Sequence, residues 1–242
     1  MTPGPPRGKF ATTRWTMVQS AGDSSDAQAA AALAELCQIY WPPLYGYLRG
    51  RGHNQEQAQD LTQGFFARLL ERRDLRTADP ERGRFRAFLL TALKRYVINE
   101  YEREAAVRRG GRHVRLSLDF EEAERRYAVE HRADNTPESV FDRKWAAITL
   151  DRAMARLRAE CHRGGKTVLT DALLPYLTDA GDLPPYRDVA AKLELTEAAV
   201  KVAVHRLRQR FGAILRREIA ETVSSPDDVD DEMRELIRAV SA

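Results

Sequence analysis

Apolar residues recur at three- and four-residue spacing along most of this chain, the signature of amphipathic helices. Leu33, Leu36, Tyr40, Leu44 and Leu48 predict a first helix that ends at Gly50 and Gly52, with a kink or restart at Pro42-Pro43. Asn54 with Gln57 three residues on makes a capping box for a second helix. Ala58, Leu61, Phe65, Leu69 and Leu70 form its apolar face, and Asp60, Gln63 and Ala67 point away from that face. Pro80 and Gly83 break the chain into a turn. A long helix follows over 84–109, with Phe85, Phe88, Leu89, Ala92, Tyr96 and Ile98 apolar, closing on Gly110-Gly111.

After that the periodicity fades. Residues 113–139 hold one short helical pattern in an acidic, weakly apolar stretch and read as an inter-domain linker. A second helical domain spans 140–223. Ser225 as a cap, Pro226 at the first helical position, and Val229, Met233, Leu236, Ile237 and Val240 inside predict an acidic C-terminal helix within 224–242. The fold class is therefore all-α: two small helical domains, 13–112 and 140–223, follow a disordered stretch at 1–12. The last helix is expected to pack on the second domain, or else to cover that domain's basic helix.

The stretch "YRDVAAKLELTEAAVKVAVHRLRQRF" (186–211) predicts a helix-turn-helix. Ala190 and Val200 occupy the crossing, and Val189, Leu193, Leu195, Val204, Leu207 and Phe211 supply the shared core. Thr196 caps the second helix. Glu197, Lys201, His205 and Arg208 recur at four, four and three residues as one stripe suited to base edges in a major groove. Arg206 and Arg210 lie to the side and suit phosphates. Glu194 stands at the turn position that Gly commonly fills, so a non-Gly residue is expected to take a positive φ.

Composition narrows the function classes. Apolar content of 43% with 31% charged residues fits a folded, helix-rich protein, and only 8% are aromatic. No 18-residue apolar run marks a membrane span, and "MTPGPPRGKF" lacks a signal peptide's apolar core, so a cytoplasmic location is expected. Cys37 and Cys161 read as structural thiols, without metal-ligand spacing. No phosphate loop, H-E-x-x-H or nucleophile elbow is present, so neither catalysis nor a cofactor is expected. The net charge of +3 hides an uneven spread: Arg and Lys dominate between Glu81 and Arg115, whereas Asp and Glu dominate from Glu221 onward. That spread suggests a polyanion bound at two places, although charge alone fits solvated helix faces as well.

Three segments in order resemble bacterial RNA polymerase sigma factors of the small extracytoplasmic-function type. They are "QAQDLTQGFFARLL", matching at Asp60, Leu61, Gln63, Phe66 and Leu69, then "GRFRAFLLTALKRYVINEYER", and then the helix-turn-helix stretch. The second matches at Phe85, Arg86, Ala87, Phe88, Leu89, Lys94 and Ile98. The resemblance implies that Asp60, Gln63 and Phe66 dock on core RNA polymerase. It implies that Arg84, Phe85, Arg86, Phe88, Lys94, Arg95 and Asn99 open and read the −10 element of promoter DNA. Thr196, Glu197, Lys201, His205, Arg206, Arg208 and Arg210 would read the −35 element. Arg95 stands where the family often has Asn, and Val202-Ala203 where it often has Ser-Arg, which leaves Lys201, His205 and Arg206 more of the readout. The run before the helix-turn-helix also departs from the family's usual one. An anti-sigma factor is a common partner in the family, and nothing in this sequence identifies one. A one-component regulator with an N-terminal sensing or dimerising domain stays open, as does a helical enzyme or adaptor.

Overall fold

The computed structural model describes residues 27–71, 84–106, 118–130, 136–177 and 183–241. The N-terminal stretch, the turn at Pro80 and Gly83 and the stop at Gly110-Gly111 lie outside them. The described residues fold as α1 (Ala27–Gly50), α2 (Gln55–Glu71), α3 (Phe85–Ala106), α4 (Phe120–Glu130), α5 (Pro137–Arg163), α6 (Thr167–Leu173), α7 (Tyr186–Leu193), α8 (Glu197–Ala220) and α9 (Pro226–Ser241). A 3₁₀ turn, Leu174–Leu177, follows α6. The protein is all-α. Two compact units form: one takes the chain up to Ala147 together with Ile219–Ala242, the other Ile148–Glu218.

In the first unit α1 is the central helix, packed against α2, α3 and α4. It runs unbroken through Pro42 and Pro43, because Tyr40, Trp41, Leu44 and Tyr45 are all buried around them and hold the backbone helical. Tyr40 meets Phe85 edge-on at 5.1 Å between ring centres, and Trp41 meets Phe120 likewise at 5.1 Å. Such pairs add about 0.5–1.5 kcal/mol beyond the area they bury. The capping box at α2 is made in full: Gln57 N donates to Asn54 Oδ1 at 2.9 Å, and Asn54 N donates to Gln57 Oε1 at 3.1 Å.

The stretch read as a linker contributes to this unit. Within it, α4 places Glu124 against Arg49, whose Nη2 and Nε donate to the two carboxylate oxygens at 2.8 and 3.0 Å. Tyr45 donates its hydroxyl to the same carboxylate. Weak periodicity concealed a helix tied down by one bidentate pair and by Phe120. Phe141 and Trp145 of α5 are also buried in the first unit.

The final helix begins as its cap predicts, with Asp227 N donating to Ser225 Oγ at 3.2 Å. It belongs to the first unit, where the sequence pointed to the second. Its buried face is Val229, Glu232, Leu236 and Ala239, so Ile237 and Val240 are left exposed. The apolar pattern alone misplaces that face, since no pattern assigns an acid to the inside.

In the second unit α7 and α8 are joined by Glu194, Leu195 and Thr196. Glu194 sits at φ 54, ψ 38, and is the one non-Gly residue with positive φ among the described residues. Leu195 N donates back to Ala190 O at 2.9 Å, closing a Schellman-type end. Val189, Ala190, Val200, Val204 and Leu207 form the core between the helices, Phe211 is half-buried, and Leu195 is exposed. Left-handed backbone costs a side-chain-bearing residue about 1–2 kcal/mol, part of which Gly gives back as chain entropy. Glu194→Gly is therefore expected to stabilise this unit by about 0.5 kcal/mol, read as a higher urea midpoint at unchanged slope.

Both cysteines are buried and free. Burial pushes the Cys37 thiol up to about 12, which leaves it protonated and unreactive at neutral pH. Among the described residues no helix is long and apolar enough to cross a membrane, and no cluster of His, Cys, Asp or Glu is suited to a metal ion.

Candidate polymerase and nucleic-acid surfaces

Three surfaces carry the residues singled out from the sequence. The first is the outward side of α2. Asp60 is exposed and Gln63 half-exposed there, three residues apart and so on one side of the helix. Phe66 is fully buried, edge-on to Phe65 at 5.2 Å, and Ala67 is buried as well. Phe66 supports α2 from beneath and is a core residue, not a surface contact.

The second surface is α3. Its first turn is held by the chain leading into α9: Phe85 N donates to Thr222 O at 3.0 Å, and Arg84 forms an isolated antiparallel bridge with Val223. An orphan N–H of the helix start is thereby satisfied. Phe85 is fully buried against Tyr40, and half-buried Phe88 stacks on it at 6.2 Å. Phe85 therefore cannot wall an unstacked base.

Arg86 is also turned inward. Its side chain is 12% exposed, its Nη2 donates to Glu232 Oε2 at 2.6 Å, and Nη1 donates to Asp142. The guanidinium lies over the Trp145 ring at 4.4 Å. Burial alone would lower its pKa, but the hydrogen bonds and charge of Glu232, with Asp142 behind, raise it instead. Arg86 is a structural cation and not a strand contact. Arg84 is more open, at 25% exposure, and among the described residues its carboxylate neighbours lie on α9: Asp231 at 3.0 Å, Asp228 at 3.8 Å and Glu232 at 4.0 Å.

Farther along α3 the solvent side is accessible. Arg95 and Asn99 are exposed and one helical turn apart. Lys94 Nζ donates to Glu138 Oε1 at 2.9 Å; that hydrogen bond raises the lysine pKa and lowers the carboxyl pKa. Both side chains are close to half exposed, so the pair is worth at most about 1 kcal/mol and can exchange for another anion. Ile98 and Tyr101 stand exposed beside Asn99, and Tyr101 stacks on His53 with ring centres 6.1 Å apart. Sequence reading missed Tyr101 and His53. The available signal was an aromatic residue off the apolar spacing of α3.

The third surface is α8. Thr196 accepts Ala199 N at 3.2 Å and so caps the helix. Glu197, Lys201, His205 and Arg206 are exposed, and Lys201 pairs with Glu197 at 2.7 Å. Val202 is 49% exposed beside them. Arg208 and Arg210 are engaged within the unit. Arg208 donates from Nη2 and Nε to Tyr176 O at 2.9 and 3.2 Å, and Arg210 pairs with Glu160 at 2.9 Å. The stripe inferred from the sequence is thus divided: Glu197, Lys201 and His205 stay open to solvent, whereas Arg208 is tethered to Tyr176.

Residues 36–107, which cover most of α1 and all of α2 and α3, match the family model for Sigma-70 region 2. The likeness to Sigma-70 region 2 covers that part of the chain alone. No curated protein and no solved structure matches the chain.

Proposed function

We propose that this protein is a sigma factor of the extracytoplasmic-function type, which binds core RNA polymerase and directs initiation at a particular class of promoters. The observation that carries this reading is the Sigma-70 region 2 match, which falls on the helices that expose Asp60 and the Arg95–Asn99 side of α3. In this reading Asp60 and Gln63 dock on core polymerase. Arg95, Asn99 and Lys94 contact the opened −10 strand, with Ile98 and Tyr101 offering apolar and aromatic surface to unstacked bases. The α7–α8 pair reads the −35 duplex, chiefly through Lys201, His205 and Arg206. What supports the last step is a helix capped at Thr196, held at a defined turn, with exposed cations along its first turns.

The test is a run-off assay with purified protein, bacterial core polymerase and fragmented DNA of the source genome. Discrete transcripts that depend on the protein are expected, with saturable binding to core. Duplex binding without any affinity for core would favour a stand-alone regulator. Asp60→Lys, a charge reversal on an exposed side chain, is expected to weaken core binding about tenfold while leaving the thermal midpoint in place. An unchanged affinity for core would remove Asp60 from that interface.

A further inference from the structure

We propose that α9 is a resident competitor for nucleic acid: its outward carboxylates occupy Arg84 and hold down the affinity of the first unit for a single strand. This rests on the reading of α3 as strand-binding and adds a restraint that the sigma assignment does not contain.

The geometry separates two roles on one helix. Glu232 faces inward, 1% exposed, and belongs to the buried cluster with Arg86. Asp228 and Asp231 face outward, 26% and 45% exposed, and reach Arg84 at 3.8 and 3.0 Å. Asp231 is shared with Arg234, a partner on its own helix. Arg84 thus stands at the start of the helix that carries Lys94, Arg95 and Asn99, yet its charge is met by carboxylates placed where a phosphate would otherwise sit. Partly exposed pairs of this kind are weak, about 0.2–1 kcal/mol each, so they can yield to a strand without α9 leaving its seat. The buried side of α9, through Val229, Leu236 and Ala239, keeps the helix docked meanwhile. The restraint is therefore graded and not an on–off switch.

Deleting α9 would test this badly, because Arg86 would lose Glu232 and the unit would lose core. Asn substitutions at Asp228 and Asp231 remove the charge and leave the buried face intact. Four full-length proteins suffice: wild type, Asp228→Asn/Asp231→Asn, Arg84→Gln, and all three changes together. The probe is a short fluorescein-labelled oligothymidylate, titrated by anisotropy at two salt concentrations, with a thermal melt of each protein. The Asn pair is expected to bind about three- to tenfold more tightly at low salt. Its dependence on log salt should steepen by about 0.7, one extra phosphate contact, and Arg84→Gln should cancel both effects. An unchanged affinity, or a gain that survives Arg84→Gln, overturns the proposal while leaving the strand-binding surface in place. If none of the four proteins binds the probe, the strand-binding reading of α3 falls and the proposal with it. Core-polymerase binding, measured separately, tests the sigma assignment.

Discussion

Replacing Glu232 with alanine is expected to destabilise the first unit by about 3–5 kcal/mol, the largest stability loss for any single ion-pair partner among the described residues. The size follows from burial on both sides of the pair. Glu232 is 1% exposed and Arg86 12%, and two hydrogen bonds, at 2.6 and 3.3 Å, join them. Without Glu232 the guanidinium keeps Asp142 and the face of Trp145 but faces a cavity where its bidentate partner stood. A protein interior cannot solvate that charge. Equilibrium urea unfolding, followed by tryptophan fluorescence at Trp41 and Trp145, reads the loss. A second variant decides its origin. Glu232→Ala with Arg86→Met removes both charges, and is expected to recover most of the stability, because a paired buried charge contributes little net energy against an apolar replacement. If Glu232→Ala alone costs under about 1 kcal/mol, then the site is wet and α9 is not an integral part of the first unit.

Where the sequence could be read, the determinants were local. The Asn54–Gln57 capping box, the Ser225 cap of α9 and the positive φ of Glu194 depend on residues within a few positions of one another, and each took its expected geometry. What could not be read depends on distant partners. Arg84, Arg86, Lys94 and Arg95 look alike in a basic stretch. Their roles diverge because the chain brings Asp231 and Glu232 to the first two from 147 and 146 residues away. Aromatic residues in a family motif mislead in the same way. Phe66 and Phe85 match the motif because the fold needs them inside, and a motif does not say which side of a helix its residues occupy. The same holds for Arg208 and Arg210, continuous with the stripe in sequence, whose charges go to Tyr176 O and Glu160.

That division of α8 leads to the largest functional effect expected. Reversing charge at Lys201 and Arg206 together, Lys201→Glu with Arg206→Glu, should weaken duplex promoter binding about a hundredfold at low salt, since a good base-edge contact carries roughly 1–3 kcal/mol and each lost phosphate contact weakens binding further. Both side chains are exposed. Lys201 has a neighbouring Glu197 at 2.7 Å to release, and Arg206 has no ion pair among the described residues. Fold should survive, because neither side chain contributes to the core of the second unit. Arg208→Ala should behave in the opposite sense: loss of its two hydrogen bonds to Tyr176 O lowers the stability of the unit, with a smaller effect on binding per folded molecule. Mobility shifts on promoter duplex over a salt series, beside thermal melts, separate the two. A reversal that flattens the salt dependence by about one per lost phosphate contact, at constant melting temperature, identifies Lys201 and Arg206 as DNA contacts. Were Arg208→Ala to cost more affinity than the double reversal at equal stability, the tether to Tyr176 would have to open on binding, and the reading face would lie farther along α8.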